Sequence, residues 1–348
     1  MTLRVVQWTT GNVGRRSIRA IAANPALELV GCYVFSEDKD GKDAGELAGI
    51  DAVGIEATRD ASALLSLSPD CVNYNPMWPN VDELVRILEA GINVTTTAAF
   101  ITGHAFGDED RARIEDACKR GSSSIIGSGM NPGFANLLGL VSAGICDRVD
   151  SISVLESVDS TGYNSPETEL PIGFTRPPND PALPEMVRNG TAVFGDAVYM
   201  MADALKVEID DVVCESNFAV ATEKLELGYM TIEEGCVAGI EASWQGRKQG
   251  RTVIDLRVRW RKGQALEPDW PLEHGYLVEV EGQPCVKTRL EIRPPKDFKA
   301  TSFEDYMQLG MIITSLPAVN AIPAICNAAP GIRTYADIPI VTGAGFVK

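Results

Sequence analysis

Two glycines three residues apart sit near the start of the chain, in the run Val5-Val6-Gln7-Trp8-Thr9-Thr10-Gly11-Asn12-Val13-Gly14-Arg15-Arg16. This is a pattern for binding phosphate. A strand that bends through glycine into a helix leaves the first helical N–H groups without partners, and those groups attract anions. One glycine lets the main chain approach a pyrophosphate, and another lets helix and strand pack closely. Gly11 and Gly14 occupy the second and third glycine positions of the dinucleotide fingerprint, with Thr9 at the first, so the fingerprint is incomplete. Thr9, Thr10, Gly11, Asn12, Val13, Gly14 and Arg15 are the candidate pyrophosphate residues. A tight turn without ligand is the competing reading.

The ribose-reading position follows at the end of the second strand, in Val34-Phe35-Ser36-Glu37-Asp38-Lys39. Ser36 stands where an NAD-selective protein usually carries an acid. Arg15, Arg16 and Lys39 suit a 2′-phosphate, whereas Glu37 and Asp38 oppose one. The reading is NADP, with NAD as the alternative.

Further polar groups fall where strands end, the edge at which such sheets bind ligands. They are Asn75 and Pro76, followed by Met77 and Trp78; then Thr96 and Thr97; then His104; then Asn131. His104 is a candidate general acid because its reference pKa is near neutrality; a surface-loop histidine is the alternative. Asn131 could orient substrate or a nicotinamide amide, or form a turn before Pro132. Glu156 interrupts the apolar run Val154-Leu155, and alternation leaves open whether it faces a cleft or solvent. Tyr163 and Tyr306 are hydroxyl donors without positional support. Trp78 and Phe100 could shape an apolar pocket or sit in the core. Arg257, Arg259 and Arg261 share one strand face, read as a solvated face that pairs with the acidic surplus.

The elements that carry these groups alternate. Strands are expected over Leu3–Trp8, Leu27–Phe35, Cys71–Asn75, Asn93–Thr97 and Ser124–Gly127. Helices are expected over Arg15–Ala23, Ala61–Leu67, Val81–Ala90 and Asp108–Lys119. Such alternation implies α/β structure, a doubly wound parallel Rossmann sheet. Beyond residue 130 the pattern changes. A helix over Asn136–Ile145, a strand over Ile152–Ser157 and a mostly helical Met186–Leu205, weak at Gly190 and Gly195, precede a series of strands. These are Val212–Val220, Gly235–Trp244, Thr252–Arg261, Gly275–Val280 and Val286–Ile292. They predict an α+β region with a largely antiparallel sheet. Ser302–Cys326 is helical, with Pro317 and Pro323 expected to break or kink it. The domains are expected at 1–130, 131–301 and 302–348, the last returning to the first.

Composition narrows the class. The chain has 348 residues, 45% of them hydrophobic, and a net charge of −17. That surface repels phosphate backbones and anionic lipid, so no nucleic-acid or membrane partner is expected. No apolar run reaches the length of a membrane span. Eight cysteines without a Cys-x-x-Cys pair read as reduced thiols of a cytoplasmic protein, and two unrelated histidines leave no metal site expected.

Three segments carry a resemblance: Val-Val-Gln-Trp-Thr-Thr-Gly-Asn-Val-Gly at 5–14, Gly129-Met130-Asn131-Pro132-Gly133-Phe134, and Val319-Asn320-Ala321-Ile322-Pro323 with Ala329-Pro330-Gly331-Ile332. Together they resemble the dihydrodipicolinate reductase-like family, in the branch of 2,4-diaminopentanoate dehydrogenases and native amine dehydrogenases. The resemblance spans the chain. It implies a Rossmann domain, a C-terminal α+β domain, a homodimer, and reduction of C=N or C=O bonds with NAD(P)H. It sets Asn131 beside the cofactor cleft and returns Asn320 to the first domain as a cofactor residue. The chain lacks the His-His-x-x-Lys motif of true dihydrodipicolinate reductases. No acid follows Thr97 until Asp108, where amine dehydrogenases of the branch carry a carboxylate. The expected function is NAD(P)H-dependent reduction of a C=O or C=N bond in a small or medium apolar substrate, with carbonyl reduction preferred. The alternatives are reductive amination, a nucleotide-binding redox sensor without catalysis, or a Rossmann-like enzyme using another nucleotide.

Overall fold

A computed structural model describes residues 2–301 and 303–347. The chain divides into two compact units: residues up to Phe134 with those from Leu309 onward, and Ala135–Gln308.

In the first unit strands and helices alternate in the order β1 (Leu3–Trp8), α1 (Asn12–Ala23), β2 (Leu27–Tyr33), α2 (Ala44–Ala48), β3 (Ala57–Thr58), α3 (Ala61–Ser66), β4 (Cys71–Tyr74), α4 (Val81–Glu89), β5 (Asn93–Thr96), α5 (Asp108–Gly121) and β6 (Ser124–Gly127). Polar caps start three of these helices, and Asp43 accepts from the N–H groups of Gly45 and Glu46 at the start of α2. Asp60 accepts from the N–H of Ala63, and Asn80 from that of Glu83. The helices bury one stripe each: Ile18 and Ile21 of α1, Leu84, Ile87 and Leu88 of α4, Ile114 and Ala117 of α5. Each such Leu or Ile contributes about 1.5–3 kcal/mol by leaving water.

The second unit holds α6 (Ala135–Ala143), β7 (Arg148–Asp159), α7 (Pro166–Glu169), α8 (Leu183–Gly190), α9 (Ala192–Leu205), β8 (Asp211–Ala221), β9 (Leu225–Glu226), β10 (Thr231–Ile232), β11 (Val237–Lys248), β12 (Arg251–Arg261), β13 (Leu266–Glu267), β14 (Gly275–Gln283) and β15 (Val286–Leu290). The expected weak spots in the long helix separate. The break falls at Thr191, after Gly190, while Gly195 continues the helix. A Cβ on Gly195 would lie 2.7 Å from the Trp244 ring, so this glycine serves packing and not interruption. The main sheet runs β13-β8-β11-β12-β7-β14-β15. Its pairs are antiparallel apart from β12 with β7, which is parallel.

The chain then enters α10 (Phe303–Ile325) and ends on β16 (Gly331–Arg333). Ser302, the expected first residue of that helix, lies outside the described residues. The prolines do not break α10, which runs through Pro317 and Pro323 as one helix. An interior proline costs about 3 kcal/mol. Burial of Val319, Ile322 and Ile325, with Ala318 and Ala321, opposes that cost. By length and composition Asp305–Ile325 could cross a membrane, although no fully apolar run that long exists; a third of it (33%) is buried within the structure. The sheet of the first unit is ordered β16-β6-β5-β4-β1-β2-β3, all pairs parallel. The core of that sheet is the doubly wound order 3-2-1-4-5-6. The short edge strands β3 and β16 were not expected from the sequence.

Candidate dinucleotide site

The turn after β1 is built around a threonine in a glycine conformation. Thr9 has φ +78°, the left-handed region that β-branched residues avoid. Its N–H bonds Tyr33 O at 2.9 Å, and its Oγ1 donates to Asn75 O at 2.9 Å. Thr9 therefore supplies the bend that the first fingerprint glycine usually supplies. A Cβ on Gly14 would lie 2.3 Å from Thr9 O, so Gly14 is required for close helix–strand packing. Gly11 differs: its backbone is extended, and a Cβ there would meet nothing within 4 Å. The first helical bond runs from Arg15 N to Gly11 O at 2.9 Å. The amides of Asn12, Val13 and Gly14 precede it, and among the described residues no side chain caps them. Open space in front of bare amides fits a pyrophosphate.

Beneath the turn lies a ladder of neutral polar groups that the sequence reading missed. Gln7, Asn73 and Thr95 pair in register on β1, β4 and β5 and are fully buried. Asn73 Nδ2 donates to Gln7 Oε1 at 2.7 Å and Thr95 Oγ1 to Asn73 Oδ1 at 3.0 Å. Gln7 Nε2 donates to Thr9 O at 3.0 Å and to Asn75 Oδ1 at 2.8 Å. Asn75 Nδ2 continues to Thr97 Oγ1 at 2.7 Å. Thus Thr9, Asn75 and Thr97, predicted separately, form one connected edge, with Pro76 next to Asn75. Beyond it Gly129, at φ +110°, has its Cβ position 3.9 Å from Thr97 and 3.6 Å from Thr314 O of α10. The signal for the ladder was available: polar residues at matching places in three otherwise apolar strands. The alternate row is aromatic. Trp8 stacks on Tyr33 at 4.2 Å, and Tyr74 donates to Glu83 at 2.7 Å.

At the predicted ribose edge, Ser36 precedes a short turn over Glu37–Lys39 without a side-chain cap bond to it. A hydrogen bond from Ser36 holds the exposed Asp38 carboxyl below its usual range. Arg15 Nε donates to Leu47 O at 2.7 Å and Arg19 Nε to Ala48 O at 2.6 Å, so both cap the end of α2. Burial, then Arg19, lowers the half-buried Arg16 guanidinium. Asp43 accepts from five main-chain N–H groups, of Gly45, Glu46, Val53, Gly54 and Ile55, and fixes the following loop.

His104 is half-buried, with Nδ1 2.7 Å from Thr102 Oγ1. Arg111 donates to Thr102 O at 3.0 Å and steadies that loop. Asn131, at φ −145° and ψ 124°, is extended within the turn Met130–Phe134 and precedes a cis Pro132. Asn320 Oδ1 is buried and has no hydrogen-bond partner among the described residues. Phe100 is core, whereas Phe35, Met77 and Trp78 are exposed near the ends of β2 and β4.

In the second unit Glu156 shares the face of β7 that carries Ile152 and Val154 against Gly139 of α6. Its Oε1 accepts from Trp260 Nε1 at 2.8 Å. Burial, and then Glu156, push the Tyr276 phenol well up. The arginine face pairs with acids as read, through Arg259 with Glu241 at 2.7 Å and Arg261 with Asp269 at 2.8 Å. It is not the solvated face expected, because Arg259 is 15% and Arg261 2% exposed. The residue after it, Lys262, is wholly buried. It donates to Ser160 O at 2.6 Å, to Tyr229 OH at 3.0 Å and to Glu169, and lies over the Phe174 ring. Burial lowers the ammonium of Lys262 and raises the carboxyl of Glu169. Alternation places Lys262 with Leu256 and Val258 on the buried face, a signal that the sequence reading passed over.

A glycine turn with open amides on a doubly wound sheet, followed by a unit with a mixed sheet, defines the class of Rossmann-type oxidoreductases. The comparisons agree. An amine dehydrogenase of Streptomyces virginiae is 30% identical, covering 97% of this chain and 96% of the relative. The structure of an amine dehydrogenase from Mycobacterium smegmatis superposes with a TM-score of 0.76 at 18% identity, covering 99% and 98% of the two chains. WlbA dehydrogenase from Bordetella pertussis, in complex with NADH and UDP-GlcNAcA, has a TM-score of 0.51 at 15% identity over 92% and 87%. The profile of the 2,4-diaminopentanoate dehydrogenase C-terminal domain matches residues 136–345. The chain belongs to this family of NAD(P)-dependent dehydrogenases, the branch that also holds the amine dehydrogenases.

Proposed function

We propose that the protein reduces a C=O or C=N bond of a small or medium apolar substrate, with NADP as its dinucleotide, in a cytoplasmic homodimer. The observation that carries the reading is the open space at Gly11 in front of the amides of Asn12, Val13 and Gly14. Those amides, with Thr9 and Thr10, hold the pyrophosphate. Ser36, Lys39 and Arg16 meet the adenosine ribose and its 2′-phosphate. Asn75, Pro76, Thr97, Asn131 and Asn320 position the nicotinamide half, and the buried Asn320 Oδ1 lacks a donor that a carboxamide N–H would provide. When bound, the nicotinamide supplies the hydride.

His104 delivers the proton to the reduced centre, with its ring orientation set by Thr102. Asn131 orients the reacting group, and Glu156, held by Trp260, is the candidate carboxylate of the second unit. The first 130 residues with the C-terminal segment serve the dinucleotide, and 131–301 serve substrate and dimerisation.

Reductive amination is the second reading, favoured by the 30% identity to an amine dehydrogenase. It meets the lack of any acid between Thr97 and Asp108. Consumption of NADPH and NADH across ketones, with and without ammonium, tests both. The proposal expects NADPH to be consumed with ketone alone and faster than NADH. Strict dependence on ammonium would establish amination, and no consumption with any ketone would refute the proposal. His104→Asn should lower kcat by about 10²–10⁴-fold with dinucleotide affinity unchanged.

A further inference from the structure

The last strand of the first unit delivers one side chain to the edge where such sheets bind ligands. β16 pairs in parallel with β6, with Gly331 against Ser124, Ile332 against Ile125 and Arg333 against Ile126. Two residues further on, that register sets Tyr335 beside Ser128, just past the end of β6. The contact is made. The two hydroxyl oxygens lie 2.5 Å apart, and both residues are buried, Ser128 at 6% and Tyr335 at 7% exposure. A turn holds Tyr335 in place, since Asp337 Oδ2 accepts from Thr334 N at 2.8 Å and from Thr334 Oγ1 at 2.9 Å. Burial pushes the Tyr335 phenol up to about 12, so it stays a neutral hydroxyl near neutral pH.

Ser128 in turn is the floor of the segment that carries Asn131. Its N–H donates to Thr96 O at 2.8 Å, which ties it to the end of β5. The chain then folds back over it. Phe134 N donates to Gly129 O at 2.9 Å, and a Cβ on Gly133 would lie 2.9 Å from the carbonyl carbon of Ser128. So close a fit lets the turn Met130–Phe134 move only with Ser128. We propose that Tyr335 is a positioning residue for the nicotinamide half of the dinucleotide: its hydroxyl fixes Ser128, and Ser128 fixes the turn that presents Asn131. The inference rests on the proposed function, which gives Asn131 to that half. The pyrophosphate and the adenosine are held elsewhere, at the Gly11 turn and the Ser36 edge, so loss of the Tyr335 hydroxyl should reach one half of the ligand and spare the other.

Two ligands separate the halves. The full-length protein is titrated by calorimetry with NADPH and with 2′-phospho-ADP-ribose, which is NADPH without its nicotinamide; for a wild type that takes NADH instead, the pair is NADH and ADP-ribose. Tyr335→Phe should raise the Kd of the dinucleotide about fivefold, the worth of one buried hydrogen bond, and leave that of the fragment within about twofold. Ser128→Ala should do the same. The double variant should lose no more than either single one, because the two hydroxyls form one link. The inference is overturned if Tyr335→Phe binds the dinucleotide as tightly as the wild type. Equal weakening of dinucleotide and fragment also overturns it, since Tyr335 would then support the fold alone. Losses that add in the double variant overturn it as well. A wild type that binds neither NADPH nor NADH would refute the proposed function itself, and this inference with it.

Discussion

The two sheets of this molecule bury polar groups in opposite ways. Under the glycine turn the groups are neutral: Gln7, Asn73, Asn75, Thr95 and Thr97 bond one another across β1, β4 and β5. Past the end of β12 they are charged: Lys262 is closed in with Glu169 and Tyr229. Neutral amides hold three strand ends in register without placing a net charge beneath a site meant for an anion, so the helix N-terminus sets the local field. The ion pair carries a desolvation cost that only good partners offset, and it ties the 160–174 segment to β12. One region is insensitive to protonation, and the other is defined by it.

The sharpest way to break this contrast is to remove one charge. Lys262→Met should destabilise the protein by about 3–5 kcal/mol in urea unfolding, because Glu169 is left buried and unpaired. Adding Glu169→Leu should restore most of that loss. If the single variant is as stable as the wild type, the pair does not hold the segment. In the neutral region, Asn73→Ala should cost about 1–3 kcal/mol by orphaning Gln7 Oε1 and Thr95 Oγ1, and should weaken dinucleotide binding measured by calorimetry. Gly14→Ala should cost about 1–3 kcal/mol through its clash with Thr9 O.

The smallest effect sharpens the contrast through pH. The folded state raises the Glu169 carboxyl and lowers the Lys262 ammonium. Each shift means that the fold disfavours the ion. The Glu169 penalty is absent at low pH and grows as pH rises from its unfolded value through its folded one. The Lys262 penalty is absent at high pH and grows as pH falls from its unfolded value through its folded one. Any stability advantage of the Lys262→Met, Glu169→Leu double variant should therefore peak in the neutral window and shrink toward both extremes. Asn73→Ala should show a pH-independent deficit. Parallel pH series of chemical denaturation would separate the two.

Much of the first unit was legible because apolar strands and one-faced helices alternate at short spacing. Its tail was not: Gly331–Arg333 joins the sheet as an edge strand too short to announce itself. Thr9 shows the limit of motif reading. A threonine at a glycine position looks like a defect until its bonds to Tyr33 and Asn75 are seen to hold the left-handed bend. The prolines of α10 failed as helix breakers because tertiary burial outweighs local propensity. Thr9, Asn75 and Thr97 of the candidate site were singled out one by one from the sequence. Their connection through Gln7, Asn73 and Thr95 was not legible, since the pairing of β1, β4 and β5 sets which polar side chains meet.

Gly11→Val tests the central claim most directly. A Cβ there meets no protein atom within 4 Å and asks for no unusual backbone, so the fold should tolerate the change; the side chain would occupy the open space at the start of α1. The account predicts an unchanged Tm without ligand and a loss of at least about tenfold in NADPH affinity, read as a lost ligand-induced rise in Tm. A Gly11→Val protein that binds NADPH as tightly as the wild type, or a wild type that neither NADPH nor NADH stabilises, would contradict it.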